Sequence, residues 1–585
     1  MKRKRNKILR GIPASPGISL KKASLLEGED SLIMEYCVID VEKEVKKFDE
    51  AVKRTREEII AIKDNLEEVT DPYSAKIFDA QLLFLGDRDI IQKTINSIRR
   101  SKRNAEYVFD RIVREMASSL DRERSVFFRD KWGEMGDVVS RVIRNIRGKT
   151  SVIYEGVAEE CNIVAHYVPA SNMALLPKER IKGIITEMGG RTSHTSIVAR
   201  AFGIPAVVGV QDILKYARNG DFIIVDGTRG IVVINPDEST LKTYEERNRR
   251  YTDYMNGLVS LLDISPTTID GHTIELSANI ELPIEIESAR NHGARGIGLF
   301  RTEFLFMDAI PTEDEQFKVY KYCAEAIKPD SVIIRTVDIG GDKLLQDASL
   351  SDANPFLGWR AIRVYMKEKK ILETQLRAIL RASVYGNIKI MFPLVSAMEE
   401  IKFLKDILKK TQKGLKKEGI RYDERIEVGI MVEVPSAAIL AEDFAKEVNF
   451  FSIGSNDLTQ YTLACDRGNP RVANIFKPLH PAVLRLIKST VDAGHLQDIW
   501  VGLCGELGSE TIAIPVLLGL GLDELSVCPA SVPEVKSVIR HLTMAECHEI
   551  ASKVLSMSSA EEVEGYLTSI IKEKFVGIED ILLGM

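Results

Sequence analysis

The sequence predicts a multidomain α/β protein, in which an α/β domain carries an inserted helical bundle and is followed by a C-terminal (β/α)8 barrel of the TIM type. Three observations support this prediction. The length of 585 residues is enough for several domains. Residues 41–148 contain a single proline and have helical patterns, whereas the flanking segments are short apolar runs bounded by Gly, Pro and Asp-Gly turns. Beyond residue 262, strand-like and helical runs alternate.

The bundle is predicted over residues 35–148. The segment from Val41 to Val69 carries apolar residues at steps of three, four or seven, which is the pattern of an amphipathic helix with a narrow apolar stripe. Further helical patterns occupy residues 75–87, 105–120 and 136–146. Such helices pack as antiparallel hairpins, so we expect an all-helical bundle.

Residues 1–34 and 149–236 are predicted to form the α/β domain. Their short apolar runs include "NIVAHYV", "GIITEM", "AVVGV" and "DFIIVDGTRGIVVINP". A polar segment follows over residues 237–262, with apolar residues at helical spacing and the capping candidates Asp237 and Ser239 at its start. We expect this segment to be a linker helix.

The barrel is predicted over residues 263–585. Eight apolar runs are its predicted strands: "TIELSANI", "GIGLF", "VIIRTV", "IKIMFPL", "VGIMVEV", "FFSIGS", "WVGLCG" and "ELSVCP". A doubly wound open sheet gives the same alternation. In a closed barrel, functional residues gather at the carboxyl ends of the strands. The candidates there are Arg301, Arg335, Glu433, Asn456, Asp457 and Cys504.

Composition excludes several classes of protein. The formal net charge of −6 gives no overall basic field, so nucleic-acid binding is not indicated. The seven cysteines include no CxxC pair, which argues against a disulfide framework and against a zinc site. Because we find neither a signal peptide nor an apolar run of membrane-spanning length, we expect a cytoplasmic protein without membrane insertion.

The segment "GGRTSHTSIVAR", residues 189–200, places His194 between hydroxyl residues at the predicted start of a helix. These small polar residues are typical of a helix cap. The alternative is an anion site, because backbone N–H groups and the helix dipole favour phosphate at a helix N-terminus. A neutral imidazole is also a nucleophile near pH 7. The segment alone does not decide between the two interpretations.

The predicted strand ends carry residues suited to a small anionic substrate. If the barrel closes, Arg301 and Arg335 form a clamp for phosphate or carboxylate, and Arg467 is a candidate third member. Taken singly, each arginine has the alternative of a surface ion pair. In "GSNDLTQ", the residues before Asp457, including Asn456, offer hydrogen bonds to an anion.

Two further candidates concern metal and proton chemistry. Glu433 and Asp457 are predicted to end successive strands, where two carboxylates supply oxygen ligands to Mg²⁺. The alternative is a pair of capping carboxylates. Cys504 follows a predicted buried strand, and its thiol is either a general acid that protonates carbon or a small core residue.

Seven segments carry a resemblance to a known family: "GGRTSHTSIVAR", "GIGLFRTEFLFMD", "RTVDIGGDK", "NPFLGWRAIR", "MVEVPSAA", "FFSIGSNDLTQYTLACDRGNP" and "GLCGEL". In content and order they resemble the enzyme I family of the bacterial sugar phosphotransferase system, over nearly the whole chain. The resemblance implies an enzyme that takes the phosphoryl group of phosphoenolpyruvate, with Mg²⁺ bound, onto a histidine of a swivelling domain. It implies transfer from there to the phosphocarrier protein HPr, the first step of sugar uptake.

The resemblance also implies roles for individual residues. His194 matches the phosphohistidine and Cys504 the proton donor. The remaining matches are Arg301, Arg335, Asn456, Asp457 and Arg467 for substrate, and Glu433 and Asp457 for magnesium. The bundle matches the HPr-docking subdomain, and the barrel matches a homodimerisation domain. The chain departs from the family pattern at Gln81, where a histidine is expected, and at Val168, where a threonine is expected.

Two other functions fit parts of the pattern. A relative of pyruvate phosphate dikinase shares the histidine domain and the barrel, but it needs an ATP-binding region, and the sequence before His194 contains no GxxxxGK[ST] loop. A non-catalytic docking protein is expected to have lost barrel chemistry. The retained candidates at the strand ends argue against that function.

Overall fold

The structure is a computed structural model. It describes residues 6–26, 34–69, 82, 84–86, 88–120, 138–148, 159–168, 180–190, 195, 196, 199, 203–306, 309–340, 354–467, 469, 471, 472 and 474–583. The chain divides into two compact units, one of residues 1–252 with 584–585 and one of residues 253–583. None of the helices within the described ranges is both long and apolar enough to cross a bilayer.

The first unit contains the helical bundle. Its helices are α1 (Val41–Val69), α2 (Arg88–Ser101), α3 (Ala105–Leu120) and α4 (residues 138–146). Apolar side chains from all four form one core, in which the rings of Phe48 and Phe109 lie 5.4 Å apart. The predictions for 41–69 and 105–120 are confirmed, and α4 confirms most of 136–146. The prediction for 75–87, including Gln81, lies mostly outside the described residues.

Helix α2 was not predicted from the sequence, although its pattern is clear in the structure. Ile90, Thr94, Ile95 and Ile98 are buried at steps of three, four or one. Most residues of this helix are polar or basic, and its apolar residues form only a narrow stripe. The stripe packs the helix into the core that it shares with α1 and α3, and Arg99 adds an ion pair with Glu42 of α1.

The first unit also contains a mixed eight-stranded sheet. Its strands are β1 (Lys7–Arg10), β2 (Ile12–Ser15), β3 (Ile18–Leu25), β4 (Cys161–Ala165), β5 (Ile181–Thr186), β6 (Ala206–Val208), β7 (Phe222–Asp226) and β8 (Ile231–Ile234). The spatial order is β1-β8-β7-β3-β4-β5-β6-β2. The β3, β4, β5 and β6 strands are parallel, and the other pairs are antiparallel. Strand β3 precedes the bundle helices and pairs with β4, which follows them.

Two helices follow in the same part of the chain, the short α5 (Ile213–Tyr216) and α6 (Glu238–Val259). Helix α6 confirms a helix within residues 237–262 and ends three residues earlier than predicted. The predicted cap is also present, because a carboxylate oxygen of Asp237 accepts a hydrogen bond from the backbone N–H of Thr240 at 2.8 Å.

The second unit is a closed parallel barrel. Its strands are β9 (Glu275–Ile280), β10 (Ile297–Phe300), β11 (Ser331–Arg335), β12 (Asn387–Phe392), β13 (Val428–Val432), β14 (Phe450–Ile453), β15 (Trp500–Leu503) and β16 (Glu524–Val527). Strand β16 pairs with β9 and closes the ring, which confirms the barrel and excludes the open sheet. Its interior is filled by side chains that include Leu299, Met391, Met431 and Phe450.

The helices of the barrel unit occupy the segments between the strands and the C-terminal region. They are α7 (Glu285–Asn291), α8 (Glu313–Ala326), α9 (Ile362–Lys367), α10 (Lys369–Ala382), α11 (Met398–Lys417), α12 (Pro435–Ile439), α13 (Ala441–Ala445), α14 (Ser455–Leu463), α15 (Pro481–Leu496), α16 (Ile514–Gly519), α17 (Val532–Arg540), α18 (Met544–Leu555), α19 (Ala560–Lys574) and α20 (Glu579–Leu582).

A buried lysine ties the start of the barrel unit to its last barrel helix. Lys536 on α17 is fully buried, and its Nζ donates to the carbonyl oxygens of Leu262 at 2.7 Å and Gly293 at 3.1 Å. Burial, together with the nearby charge of Arg295, lowers the pKa of Lys536 to about 8. Charging this amine therefore disfavours the folded state.

The pH dependence of stability should reveal this buried amine. The unfolded chain keeps its lysine protons to a higher pH than folded Lys536 does, so the wild-type barrel gains stability as the pH rises above about 8. Methionine does not titrate. The melting temperature of the wild type minus that of Lys536→Met should therefore rise from about pH 7 to about pH 9.5, measured by scanning calorimetry.

The matched control is Lys572→Met, which removes an exposed lysine on α19. Its melting temperature should differ from that of the wild type by the same small amount at each pH. If the melting temperature of the wild type minus that of Lys536→Met stays constant or falls as the pH rises, the pKa of Lys536 is not lowered.

Candidate active site

Buried charged residues meet at the carboxyl ends of the barrel strands. Arg335 is the last residue of β11 and is 7% exposed. Its Nη2 donates to a carboxylate oxygen of Glu303 at 2.8 Å, and its Nη1 lies 3.7 Å from Asp338. Burial alone lowers the pKa of this guanidinium, but the charges of Glu303, Asp338 and Glu433 raise it overall. Arg335 is therefore fixed as a cation at the mouth of the barrel.

A second arginine, Arg360, extends this network. Its Nε and Nη2 donate to both oxygens of Asp338 at 2.8 and 2.6 Å, which is the bidentate geometry of a strong ion pair. Its Nη2 also donates to Asp457 at 3.0 Å, and its Nη1 donates to the Tyr461 hydroxyl at 3.1 Å. That hydroxyl in turn donates to the carbonyl oxygen of Phe356 at 2.6 Å. These bonds use four of the five N–H donors of Arg360 and hold its guanidinium in place.

Glu433 follows β13 and is 1% exposed. One of its carboxylate oxygens accepts a hydrogen bond from the backbone N–H of Leu394 at 2.7 Å. Burial and the charge of Asp457 together raise the pKa of Glu433 to about 8, and the charge of Arg335 opposes this rise. A cation bound beside the Glu433 carboxyl would favour its ionised form.

The expected position of Asp457 needs a correction. Strand β14 ends at Ile453, and helix α14 begins at Ser455, so Asp457 lies in the first turn of a helix and does not end a strand. Gly454 turns the chain directly from strand to helix. Asn456 lies in the same turn and exchanges two hydrogen bonds with Glu506, at 3.0 and 3.1 Å. Asp457 still faces the network, because Arg360 reaches it.

The three predicted clamp arginines lie in different surroundings in this structure. Arg301 directly follows β10 and forms an ion pair with Glu281. Arg467 is exposed, and its backbone N–H donates to the Gln460 side chain at 3.1 Å. Of the three, only Arg335 belongs to the buried network.

Cys504 follows β15 inside the barrel and is 2% exposed. Its sulfur lies 3.8 Å from the carbonyl oxygen of Ile453. Burial raises the pKa of this thiol to about 11, Ser452 opposes the shift, and the charge of Glu433 adds to it. The thiol is therefore protonated near pH 7, which a general acid requires.

His194 lies outside the described residues, as does Arg191, but its surroundings are partly described. The hydroxyl of Thr195 donates to the backbone oxygen of Val168 at 2.8 Å, and the hydroxyl of Ser196 donates to that of Gly190 at 2.7 Å. The Thr195 hydroxyl therefore fastens the segment to a neighbouring loop. Although Val168 lacks a side-chain hydroxyl, its backbone still receives this bond.

Sequence reasoning missed four members of the network: Glu303, Asp338, Arg360 and Tyr461. Each lies inside a segment that carries the family resemblance, so the signal was present in those strings. Arg360 is separated from Arg335 by 25 positions in the sequence and follows no strand directly, which is why strand-end reasoning did not find it.

The chain matches three family models in sequence order. They are described as the N-terminal part of PEP-utilising enzymes over residues 10–130, the mobile domain over 157–230 and the PEP-binding domain over 257–544. A phosphoenolpyruvate-protein phosphotransferase of Bacillus sp. (strain S) is 43% identical over 96% of this chain and 98% of its own length. The chain belongs to the phosphoenolpyruvate-protein phosphotransferases.

Two further phosphotransferases of this name show the same extent of similarity. That of Geobacillus stearothermophilus is 42% identical over 96% of this chain and 98% of its own length. That of Bacillus subtilis (strain 168) is 42% identical over 96% of this chain and all of its own. The buried network of Arg335, Asp338 and Arg360 lies within the PEP-binding domain of this phosphotransferase, and His194 lies within its mobile domain.

Alkylation should distinguish the Cys504 thiol from the exposed cysteines. Because Cys504 is buried and its pKa is raised, iodoacetamide at about pH 8 should modify it about 100-fold more slowly than Cys37 or Cys528. Peptide mass spectrometry over time measures the three rates in one sample. Equal rates would show that the thiol is neither buried nor held protonated.

Proposed function

We propose that this phosphotransferase moves the phosphoryl group of phosphoenolpyruvate onto its own His194 and from there onto the phosphocarrier protein HPr, releasing pyruvate. The observation that carries the proposal is the buried network at the barrel mouth, in which Arg335 and Arg360 are held beside Asp457 and Glu433. Fixed cations beside two carboxylates suit a substrate that is an anion and arrives with a metal ion.

The two carboxylates fit Mg²⁺ as the cofactor. Glu433 is buried, and its pKa is raised by burial and by Asp457. The backbone N–H of Leu394 engages only one of its two carboxylate oxygens, Oε1. Glu433 and Asp457 would hold the ion, leaving positions for water and for substrate oxygens. When bound, Mg²⁺ neutralises charge on the phosphoryl oxygens.

The arginines bind and orient the substrate in this proposal. Arg335 and Arg360 offer guanidinium groups whose rotamers are fixed by carboxylates, so little conformational entropy is lost on binding. Arg301 and Arg467 are partly or fully exposed, and they close on the substrate from the rim, as does the amide of Asn456.

The half-reaction has two steps. A ring nitrogen of His194 attacks phosphorus, so an N–P bond forms, the P–O bond to the enol oxygen breaks, and that oxygen keeps the electron pair. The resulting enolate takes the proton of the Cys504 thiol at its terminal carbon and becomes pyruvate. The thiolate then recovers a proton from solvent.

The proposal assigns a role to each predicted domain. Residues 1–34 and 149–236 form the swivelling domain that carries His194, and residues 237–262 form its linker. Residues 35–148 dock HPr, and residues 263–585 bind phosphoenolpyruvate and pair two chains into a homodimer. The enzyme acts in the cytoplasm, in the first step of sugar uptake.

The phosphoryl acceptor is tested by labelling. Incubation of the full chain with phosphoenolpyruvate labelled on phosphorus, in the presence of Mg²⁺, should give one acid-labile, base-stable phosphohistidine. His194→Ala should abolish the label, because no other imidazole replaces the nucleophile. The control His548→Ala, which removes an exposed histidine on α18, should be labelled like the wild type. Label of comparable yield on His194→Ala would refute the assignment.

The proton donor is tested by exchange of the pyruvate methyl protons with solvent, followed by NMR. Cys504→Ala should slow this exchange by about 10² to 10⁴, the usual contribution of general acid–base catalysis, and should change pyruvate binding much less. His194→Ala should leave the exchange rate unchanged, because no phosphoryl group moves. Cys547→Ala removes an equally buried thiol on α18 and is the matched control. Wild-type exchange in Cys504→Ala would assign the proton to another group.

A further inference from the structure

A polar cavity opens at the opposite end of the barrel from the candidate active site. It has a volume of about 520 Å³, and its wall includes Glu275, Glu524 and Trp500. These are the first residues of β9, β16 and β15, so the cavity lies at the amino ends of the strands. Its size is within the range of small-molecule sites.

The carboxylate of Glu524 is the unusual group in this cavity. The residue is 3% exposed, and its Oε2 has no hydrogen-bond partner. A Cβ atom at Gly298 or Gly502 would come within 2.5 or 2.6 Å of the two carboxylate oxygens. The barrel interior therefore leaves space for this side chain by placing glycine on two other strands. A buried carboxylate oxygen without a partner is costly unless a cation or donor meets it.

A second carboxylate stands next to Glu524. Glu275 is its register partner on β9, and in-register side chains of parallel neighbours point to the same face. Burial and the charge of Glu275 together raise the pKa of Glu524 to about 8, against the opposing effects of Ser277 and of the charge of Lys389. The protein itself does not compensate this pair fully.

The other charged groups around the cavity already have partners. Lys389 lies 3.2 Å from Glu427, and its Nζ is 4.5 Å from the ring centroid of Trp500. Asp523 accepts hydrogen bonds from the backbone of Val501 and contacts His495, both at 2.8 Å. The wall thus carries four carboxylates and one lysine, an excess of negative charge.

We propose that this cavity binds a small aliphatic amine in its ammonium form, with Glu524 and Glu275 as its anionic partners. An ammonium group donates up to three hydrogen bonds and needs only a few acceptors. A metal ion fits less well, because no group of three or more His, Cys, Asp or Glu residues in the described part of the chain is placed to hold one. Trp500, whose ring stacks on Phe450 at 4.5 Å, adds apolar surface to the wall, which the alkyl stem would share with the side chain of Lys389.

The test uses the full-length enzyme and 1,4-diaminobutane as the probe. Calorimetric titration at about pH 8.5, where more of Glu524 is ionised, should show saturable binding of one molecule per chain. The fluorescence of Trp500 should change with the same midpoint. Glu524→Gln should weaken binding by about 30-fold or more, the loss expected when one partner of a buried ion pair is removed. Glu561→Gln, which neutralises an exposed carboxylate on α19, should bind like the wild type.

Three results would overturn the proposal. They are the absence of saturable binding, equal affinity in wild type and Glu524→Gln, and a Glu524-dependent response to K⁺ or Mg²⁺ that matches the response to the amine. If Glu524→Gln does not fold by circular dichroism, Glu275→Gln replaces it, and because Glu275 is exposed the expected loss of affinity is smaller, about threefold.

Discussion

The bidentate ion pair between Asp338 and Arg360 is the interaction on which the candidate active site depends. Asp338 is 2% exposed and lies within reach of both Arg360 and Arg335. Without it, two buried guanidinium groups would face each other with less compensation, and breaking such a pair costs about 3–5 kcal/mol. One carboxylate therefore allows two cations to share the mouth of the barrel.

The closed barrel makes this interaction possible. Arg335 ends β11, Glu433 follows β13, and Asp457 follows β14, so parallel strands in register bring their charges to one rim. The same geometry brings Glu433 and Asp457 close enough that burial and mutual repulsion raise the pKa of Glu433 to about 8. Under the proposed function, arginines held by carboxylates and a neighbouring pair of carboxylates are the two parts of a site for a metal-bound phosphate ester.

The sequence predicted the architecture well because periodicity and turn residues are local properties. All eight barrel strands and the long helix from Val41 to Val69 lie where alternation and amphipathic spacing placed them. Side-chain partners are not local. Arg360 comes from a connecting segment and reaches Asp338 and Asp457 only because the barrel folds. Asp457 was expected to end a strand, but that strand ends at Ile453 and Asp457 lies in the first turn of the following helix.

Binding of phosphoenolpyruvate to Asp338→Asn, measured by calorimetry on the full-length chain with Mg²⁺, tests the central claim most directly. Removing a negative charge from an anion site should strengthen binding if only net charge mattered. If Asp338 acts by holding Arg335 and Arg360 in place, the substitution should instead weaken binding by about tenfold or more, because preorganisation is lost. Unchanged or tighter binding would contradict the account.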